Sequence, residues 1–191
     1  MLAAGASRRL SGPKQLLRFR GATLLRHAAQ TAVAAGCGPV VVVLGDPALA
    51  TQLRFELVDL DVRIAENARW NEGMSTSIRA GLDALEQAEA VDAALIMTCD
   101  QPEVTAELLG QMVAAYLRTR PPAVACAYAG TVGVPALFGR SLFAELRALE
   151  HDQGAKQILE RRLQSVVRIP FEQGAVDIDT PEDVRRLSGD H

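Results

Sequence analysis

Val40-Val41-Val42-Val43-Leu44 is apolar at every position and β-branched at the first four. A strand with one wet face would alternate polar and apolar residues. A run apolar on both faces reads instead as a strand of a parallel sheet buried between helices. Upstream, Leu24, Leu25, Ala28, Ala29, Ala32 and Val33 recur at helical spacing, and Gly36 is a natural stop. Downstream, residues 62–65 predict a short strand, and Ser75 or Thr76 caps a helix running to 88. Residues 93–99 predict another buried strand, Thr105 caps a helix to 118, and 123–128 return as a strand. Strand and helix alternating at this pace predict a doubly wound, mostly parallel α/β sheet.

The last third is less regular. Residues 134–138 read as an edge strand, because Pro135 cannot complete a ladder. Helices are predicted over 140–149 and 155–163, and strands over 166–169 and 175–178. Thr180-Pro181-Glu182-Asp183 begins a helix, with a cap, a proline in the first turn and two acids for the dipole. No repeat or linker interrupts the chain, so one domain over residues 1–191 is expected.

Composition narrows the class. The chain has 191 residues, 49% hydrophobic and 23% charged, as in an ordinary globular protein. No apolar run is long enough to span a bilayer, and no charged-then-apolar leader precedes the first loop. A cytoplasmic protein without a membrane partner is expected. Cys37, Cys99 and Cys126 are odd in number and widely separated, and read as small core residues of a reducing compartment. The net charge of −3 hides an asymmetry: residues 1–45 hold Arg8, Arg9, Lys14, Arg18, Arg20 and Arg26 and no carboxylate. A basic end feeding an acidic body suits a compact polyanion held beside metal-binding acids. Aromatic residues are only 4% and do not interleave a basic stripe, which argues against nucleic acid.

The basic end opens with Leu2-Ala3-Ala4-Gly5-Ala6-Ser7-Arg8-Arg9-Leu10-Ser11-Gly12-Pro13-Lys14. Small side chains let backbone N–H groups approach phosphate oxygens, and Arg9 and Lys14 can neutralise what those groups cradle. Six residues separate Gly5 from Gly12 and Gln15 follows Lys14, so this is not a Walker loop. The dinucleotide fingerprint G-x-G-x-x-G is absent too, which disfavours a nicotinamide oxidoreductase. A triphosphate-binding loop remains. Asp100-Gln101-Pro102 follows a buried strand, where ligands of open α/β sheets sit, so Asp100 is the first candidate metal ligand. Asp177 and Asp179 lie on one side of another predicted strand end, and Asp179 is the better second ligand. The donor-rich stretch 67–77 suits a base and ribose. Glu150-His151-Asp152-Gln153-Gly154 reads as a turn that either touches a second substrate or only reverses the chain.

The ordered set Leu2-Ala3-Ala4-Gly5-x-Ser7-x-Arg9, Lys14-Gln15-Leu16-Leu17, Trp70-x-Glu72-Gly73-Met74-x-x-Ser77-x-Arg79-x-Gly81-Leu82, Asp100-Gln101-Pro102, Pro135-x-Leu137-Phe138, Asp152-x-Gly154-Ala155 and Asp179-Thr180-Pro181-Glu182-Asp183 resembles the MobA-like nucleotidyltransferase family. The Ala-Ala-Gly form is similar to its molybdenum cofactor cytidylyltransferase branch. The resemblance implies a three-layer α/β fold of the nucleotide-diphospho-sugar transferase (GT-A-like) type, and transfer of CMP from CTP to molybdopterin with Mg²⁺ as cofactor. It implies Arg9, Lys14 and Asp100 as catalytic residues and Asp100 with Asp179 as metal ligands. Leu2, Ala3, Ala4, Gly5, Asn71, Gly73, Met74, Ser75 and Ser77 would hold the nucleotide. A molybdoenzyme or its chaperone would be a protein partner. Two departures keep alternatives open. Relatives carry several apolar residues before Leu-Ala-Ala-Gly, so a stunted first strand is expected, and Val134 stands where relatives often have His. The alternatives are another phosphorylated acceptor (a sugar, isoprenoid or F420 precursor) or a nucleotide-binding module that has lost catalysis.

Overall fold

The computed structural model describes residues 1–5, 12–88, 90–175, 177, 178, 182 and 183. A two-residue hairpin, β1 (Arg18–Phe19) with β2 (Ala22–Thr23), leads into α1 (Leu24–Ala34), whose start is capped by the Thr23 hydroxyl accepting from Arg26 N. Next come β3 (Val41–Leu44), α2 (Pro47–Phe55), β4 (Arg63–Glu66), α3 (Met74–Ala88) and β5 (Ala93–Ile96). α4 (Ala106–Thr119), β6 (Ala123–Tyr128), β7 (Thr131–Gly139), α5 (Phe143–Arg147), α6 (Lys156–Arg161) and β8 (Val166–Pro170) complete the elements used below. β3 pairs with β4 in parallel, and β5, β7, β6 and β8 form a second sheet in that order. Leu2 joins the two, bridging Val43 on one side and Thr98 on the other, both in parallel. Met97 O accepts from Leu2 N at 2.8 Å and Val43 O from Ala3 N at 3.0 Å. The expected stunted first strand is thus a single bridge position between β3 and the end of β5.

Period-two alternation sorts the sheet side chains into two cores. Val124, Cys126 and Leu137 face Leu25 and Ala29 of α1, Leu53 of α2 and Met112 of α4. Ala123, Ala125, Ala136 and Phe138 face Ile78 and Leu82 of α3, Leu146 of α5 and Ile158 of α6. Helices therefore cover both faces, the three-layer arrangement expected of strands apolar on both sides.

Several expectations are corrected. β7 is an interior strand, antiparallel to both β5 and β6, and not an edge. Its proline is tolerated because the register with β6 jumps from Ala125↔Ala136 to Cys126↔Gly133, leaving Val134 and Pro135 opposite no partner in that ladder. A bulge removes the demand for a donor there. Tyr128 Oη donates to the Val134 carbonyl at 3.1 Å across a cis Val134–Pro135 bond. The strand expected over 175–178 is not seen at its described residues: a 3₁₀ turn covers Glu172–Ala175, Asp177 and Ile178 belong to no strand, and Gln101 Nε2 donates to Gly174 O at 3.1 Å. α3 starts at Met74, so Ser75 and Thr76 lie inside its first turn and do not precede it. α5 and α6 are shorter than predicted, flanked by 3₁₀ turns at Arg140–Leu142 and Leu163–Ser165. Cys37 is exposed just past the end of α1, whereas Cys99 and Cys126 are buried and all three are free. The helix start expected at Thr180-Pro181 lies mostly outside the described residues.

Phe138 in β7 is fully buried, whereas Phe55 at the end of α2 is 75% exposed. Phe138→Ala should cost about 3–5 kcal/mol of stability, and Phe55→Ala no more than about 0.5 kcal/mol. Urea titration checks both, and a Phe138→Ala loss as small as that of Phe55→Ala would contradict an interior β7.

Candidate functional site

The bridge at Leu2 sets residues 3–5 beside the end of β5, where Met97-Thr98-Cys99 runs into Asp100. Lys14, at the start of a 3₁₀ turn (Lys14–Leu16), donates from Nζ to Asp100 Oδ2. Both side chains are only 15% exposed. A pair so covered keeps its ions in register, because separating them would leave a charge desolvated and unmatched. Gln15 fixes the geometry from beneath: its buried Nε2 donates to the carbonyls of Ala3 and Gly5, both at 2.9 Å. The residue that breaks the Walker pattern therefore ties Ala3 and Gly5 to the turn that carries Lys14. Asp100 also receives a neighbour from the chain end, since Ile178 N donates to Asp100 O at 3.1 Å. Ile178 is buried against Phe19 and Leu24, while Asp177 is exposed.

These groups open into a cleft of about 270 Å³. Leu2, Ala3, Ala4, Gly5, Asn71, Gly73, Met74 and Ser77 all line it, together with Lys14, Asp100, Trp70 and Asp152. Ser75 does not: it is fully buried, its Oγ accepting from Arg79 Nη2 at 3.4 Å and its N donating to His151 O at 3.1 Å. Ser77 is held by the buried Asn67, whose Nδ2 donates to Thr76 Oγ1 (2.8 Å) and Ser77 Oγ (3.0 Å). Arg9 and Asp179 lie outside the described residues. Arg8 also lies outside the described residues, and Arg18, Arg20 and Arg26 are engaged elsewhere: Arg18 with Gly21 O, Arg20 with Glu103, and Arg26 with the carbonyls of Glu56 and Val58.

Sequence reasoning gave Gln15 no role of its own and left Asp152 undecided. The signal for Gln15 was its place next to Lys14. The signal for Asp152 was an acid in a glycine-bearing turn.

Cys99, beside Asp100, is not a nucleophile here, because burial first and the Asp100 charge second push its thiol up to about 12. A larger cleft of about 400 Å³ opens between β3 and β5 on the far side of Leu2, lined mainly by apolar residues such as Val41, Leu95 and Ile78. It contains neither Lys14 nor Asp100, so the smaller one is the candidate site. Among the described residues no three His, Cys, Asp or Glu side chains gather as a metal cage. A single carboxylate at a strand end, open to a cleft that would admit phosphates, fits a hard divalent cation that takes its other oxygens from substrate and water. No helix among the described residues is long and apolar enough to cross a membrane.

Comparison with known proteins gives the family. A model of the MobA-like NTP transferase domain matches residues 1–166. The nicotine blue oxidoreductase of Paenarthrobacter nicotinovorans is 33% identical over 199 residues, covering 98% of this chain and 94% of that protein. The crystal structure of Rv0371c from Mycobacterium tuberculosis H37Rv superposes with a TM-score of 0.78 at 30% identity, covering 100% of this chain and 96% of that one. A manganese complex of Rv0371c gives 0.77 at 29% identity over the same shares. A match over most of the chain, with relatives this similar along its length, makes the protein a member of the MobA-like NTP transferase family and a nucleotidyltransferase.

Proposed function

We propose that the protein transfers CMP from CTP to the terminal phosphate of molybdopterin and releases pyrophosphate. The observation that carries the reading is the Lys14–Asp100 pair at the head of a cleft whose other wall is lined by small and amide-bearing residues. An acceptor phosphate oxygen attacks the α-phosphorus of CTP, and the bond to the bridging oxygen of the β-phosphate breaks with its electron pair leaving on pyrophosphate. Such a transfer asks the protein for position and charge, not for a covalent intermediate. The backbone at Ala4 and Gly5 meets the triphosphate. As phosphate oxygens enter, the Lys14 ammonium exchanges Asp100 for them and stabilises charge growing on the leaving group. Arg9, from the same loop, is assigned to the same phosphates.

Asp100, released from Lys14, would hold Mg²⁺ with Asp179. When bound, the ion would neutralise phosphate oxygens around the reacting centre. The manganese complex of Rv0371c supports a divalent cation. CTP is favoured over GTP by the Ala3-Ala4-Gly5 form.

Transfer of label from α-labelled CTP to molybdopterin, run beside GTP and ATP, tests the assignment directly; label moving only from GTP would overturn it. Lys14→Ala should lower turnover by about 10²–10³, by analogy with removing one preorganised donor. Pyrophosphate release near the unmodified rate would take Lys14 out of the chemistry. Asp100→Asn should abolish the divalent-metal dependence of turnover while the protein still melts cooperatively, and an unchanged metal titration would refute its role as ligand. CTP should raise Tm more than equimolar GTP, since only the tighter ligand shifts the folding equilibrium appreciably.

A further inference from the structure

Asp152 occupies the turn between α5 and α6, and that turn is fixed to the first turn of α3 from both sides. Gly73, at φ +118°, approaches so closely that an added Cβ would lie 2.2 Å from His151 C and O. An added Cβ on Gly154 would lie 2.9 Å from Met74 Sδ. Ser75 N donates to His151 O, Glu150 N donates to Gln153 Oε1 at 2.9 Å, and Gln153 N donates back to Glu150 O at 2.9 Å. Arg79 Nη1 donates to the carbonyls of Arg147 (3.1 Å) and Leu149 (2.6 Å), securing the end of α5 that feeds the turn.

A turn anchored this firmly presents its side chain at one place, and Asp152 is placed on the cleft wall beside Trp70 and Met74. Nothing in the fold asks for an acid there. Among the described residues the Asp152 carboxylate has no hydrogen-bond or ion-pair partner, and it does not cap α6, which begins at Lys156 behind Ala155 with no side-chain cap. It is exposed, and it shares its cleft with another acid, Asp100, which is already paired with Lys14. An ionised carboxylate only accepts, and binds best to two parallel N–H donors. Cytosine offers an amino group beside a ring nitrogen that is itself an acceptor, and so meets half of that need. A 2-amino-4-oxopyrimidine edge, as in a pterin, offers a ring N–H and an amino group side by side. Met74, 47% exposed, and Trp70 supply polarisable surface for such a ring.

We propose that Asp152 is a specificity-determining residue of the acceptor subsite, accepting both N–H donors of the pterin's 2-amino-4-oxopyrimidine edge while Trp70 and Met74 cover the ring. This rests on the pterin acceptor put forward above, but its test does not need turnover.

Trp70 is the only tryptophan of the chain and lines the cleft, so its fluorescence reports binding. The probes are 6-hydroxymethylpterin and lumazine, which carries an oxo group in place of the 2-amino group. The intact protein should bind the pterin more tightly than lumazine. Asp152→Asn should weaken the pterin by about ten- to a hundredfold, as for a lost charge-assisted pair, and leave lumazine little changed. Asp152→Glu should recover part of the loss. The rise in Tm with CTP should be unaffected, and KM for molybdopterin should rise with little change in kcat. The proposal is overturned if the intact protein does not bind the pterin, if Asp152→Asn binds it equally well, or if protection by CTP or GTP falls in parallel. Pterin binding that depends on Asp152, without transfer of label from CTP, would overturn the cytidylyl reaction and leave the subsite standing.

Discussion

The contact between Lys14 and Asp100 is the constraint around which the site is arranged. The two residues are 86 positions apart, and each side chain is only 15% exposed. Neither ion could be held so deep alone, because an unpaired desolvated charge costs several kcal/mol. With each as the other's partner, the cleft carries a cation and an anion through folding without a large net penalty. A triphosphate with its divalent ion has the same charge pattern in reverse, so it can replace both partners at once. Mutual neutralisation keeps the pair in place, and exchange of partners is what the proposed triphosphate would require of it.

Holding that pair in register is the task of the surrounding sheet. Leu2 N donates to Met97 O, and Met1 O and Ala3 N bond Val43, all through the backbone, which sets the loop between two strand ends whatever its side chains are. Gln15 then draws Ala3 and Gly5 onto the turn that carries Lys14. On the far side, β7 runs antiparallel through the interior, with Phe138, Ala136 and Leu137 supplying both cores. That interior position makes the sheet mixed, and it lets residues 140–155 return beside α3, bringing Asp152 to the cleft.

What could be read from the sequence was whatever depends on local pattern. The apolar run at 40–44, the Thr105 cap, the glycine stop after α1 and the acid after β5 are short-range signals, and the structure shows each of them. Proline in β7 misled because its usual meaning, an edge, is a statement about neighbours. The bulge that excuses it depends on how β6 aligns, which no single strand reveals. α2 was passed over although Asp46-Pro47 is a cap followed by proline, with Asp46 accepting from Ala48 N. Ser75 looked like a ligand donor because hydroxyls near a helix start often are; here the turn at 150–154 covers it. Gln15 was invisible for a related reason. Its role exists only once the chain has folded back by ten to twelve residues.

The cleft has a direction. At one end small residues, a lysine and an acid at a strand tip form a place for phosphates and a hard cation. At the other, beyond Gly73, a tryptophan, a thioether and a carboxylate without a partner among the described residues suit a flat, donor-edged ring. On the proposed reading, the acid at the phosphate end is answered by lysine and a metal, whereas the acid at the ring end would find its partner in the ligand's own N–H groups. Such a carboxylate does little for affinity toward a wrong ring and much to reject it, because an acceptor set against an acceptor is left desolvated and unpaired. Two carboxylates in one cleft can therefore do different work, one through the ion it holds and the other through the donors it demands.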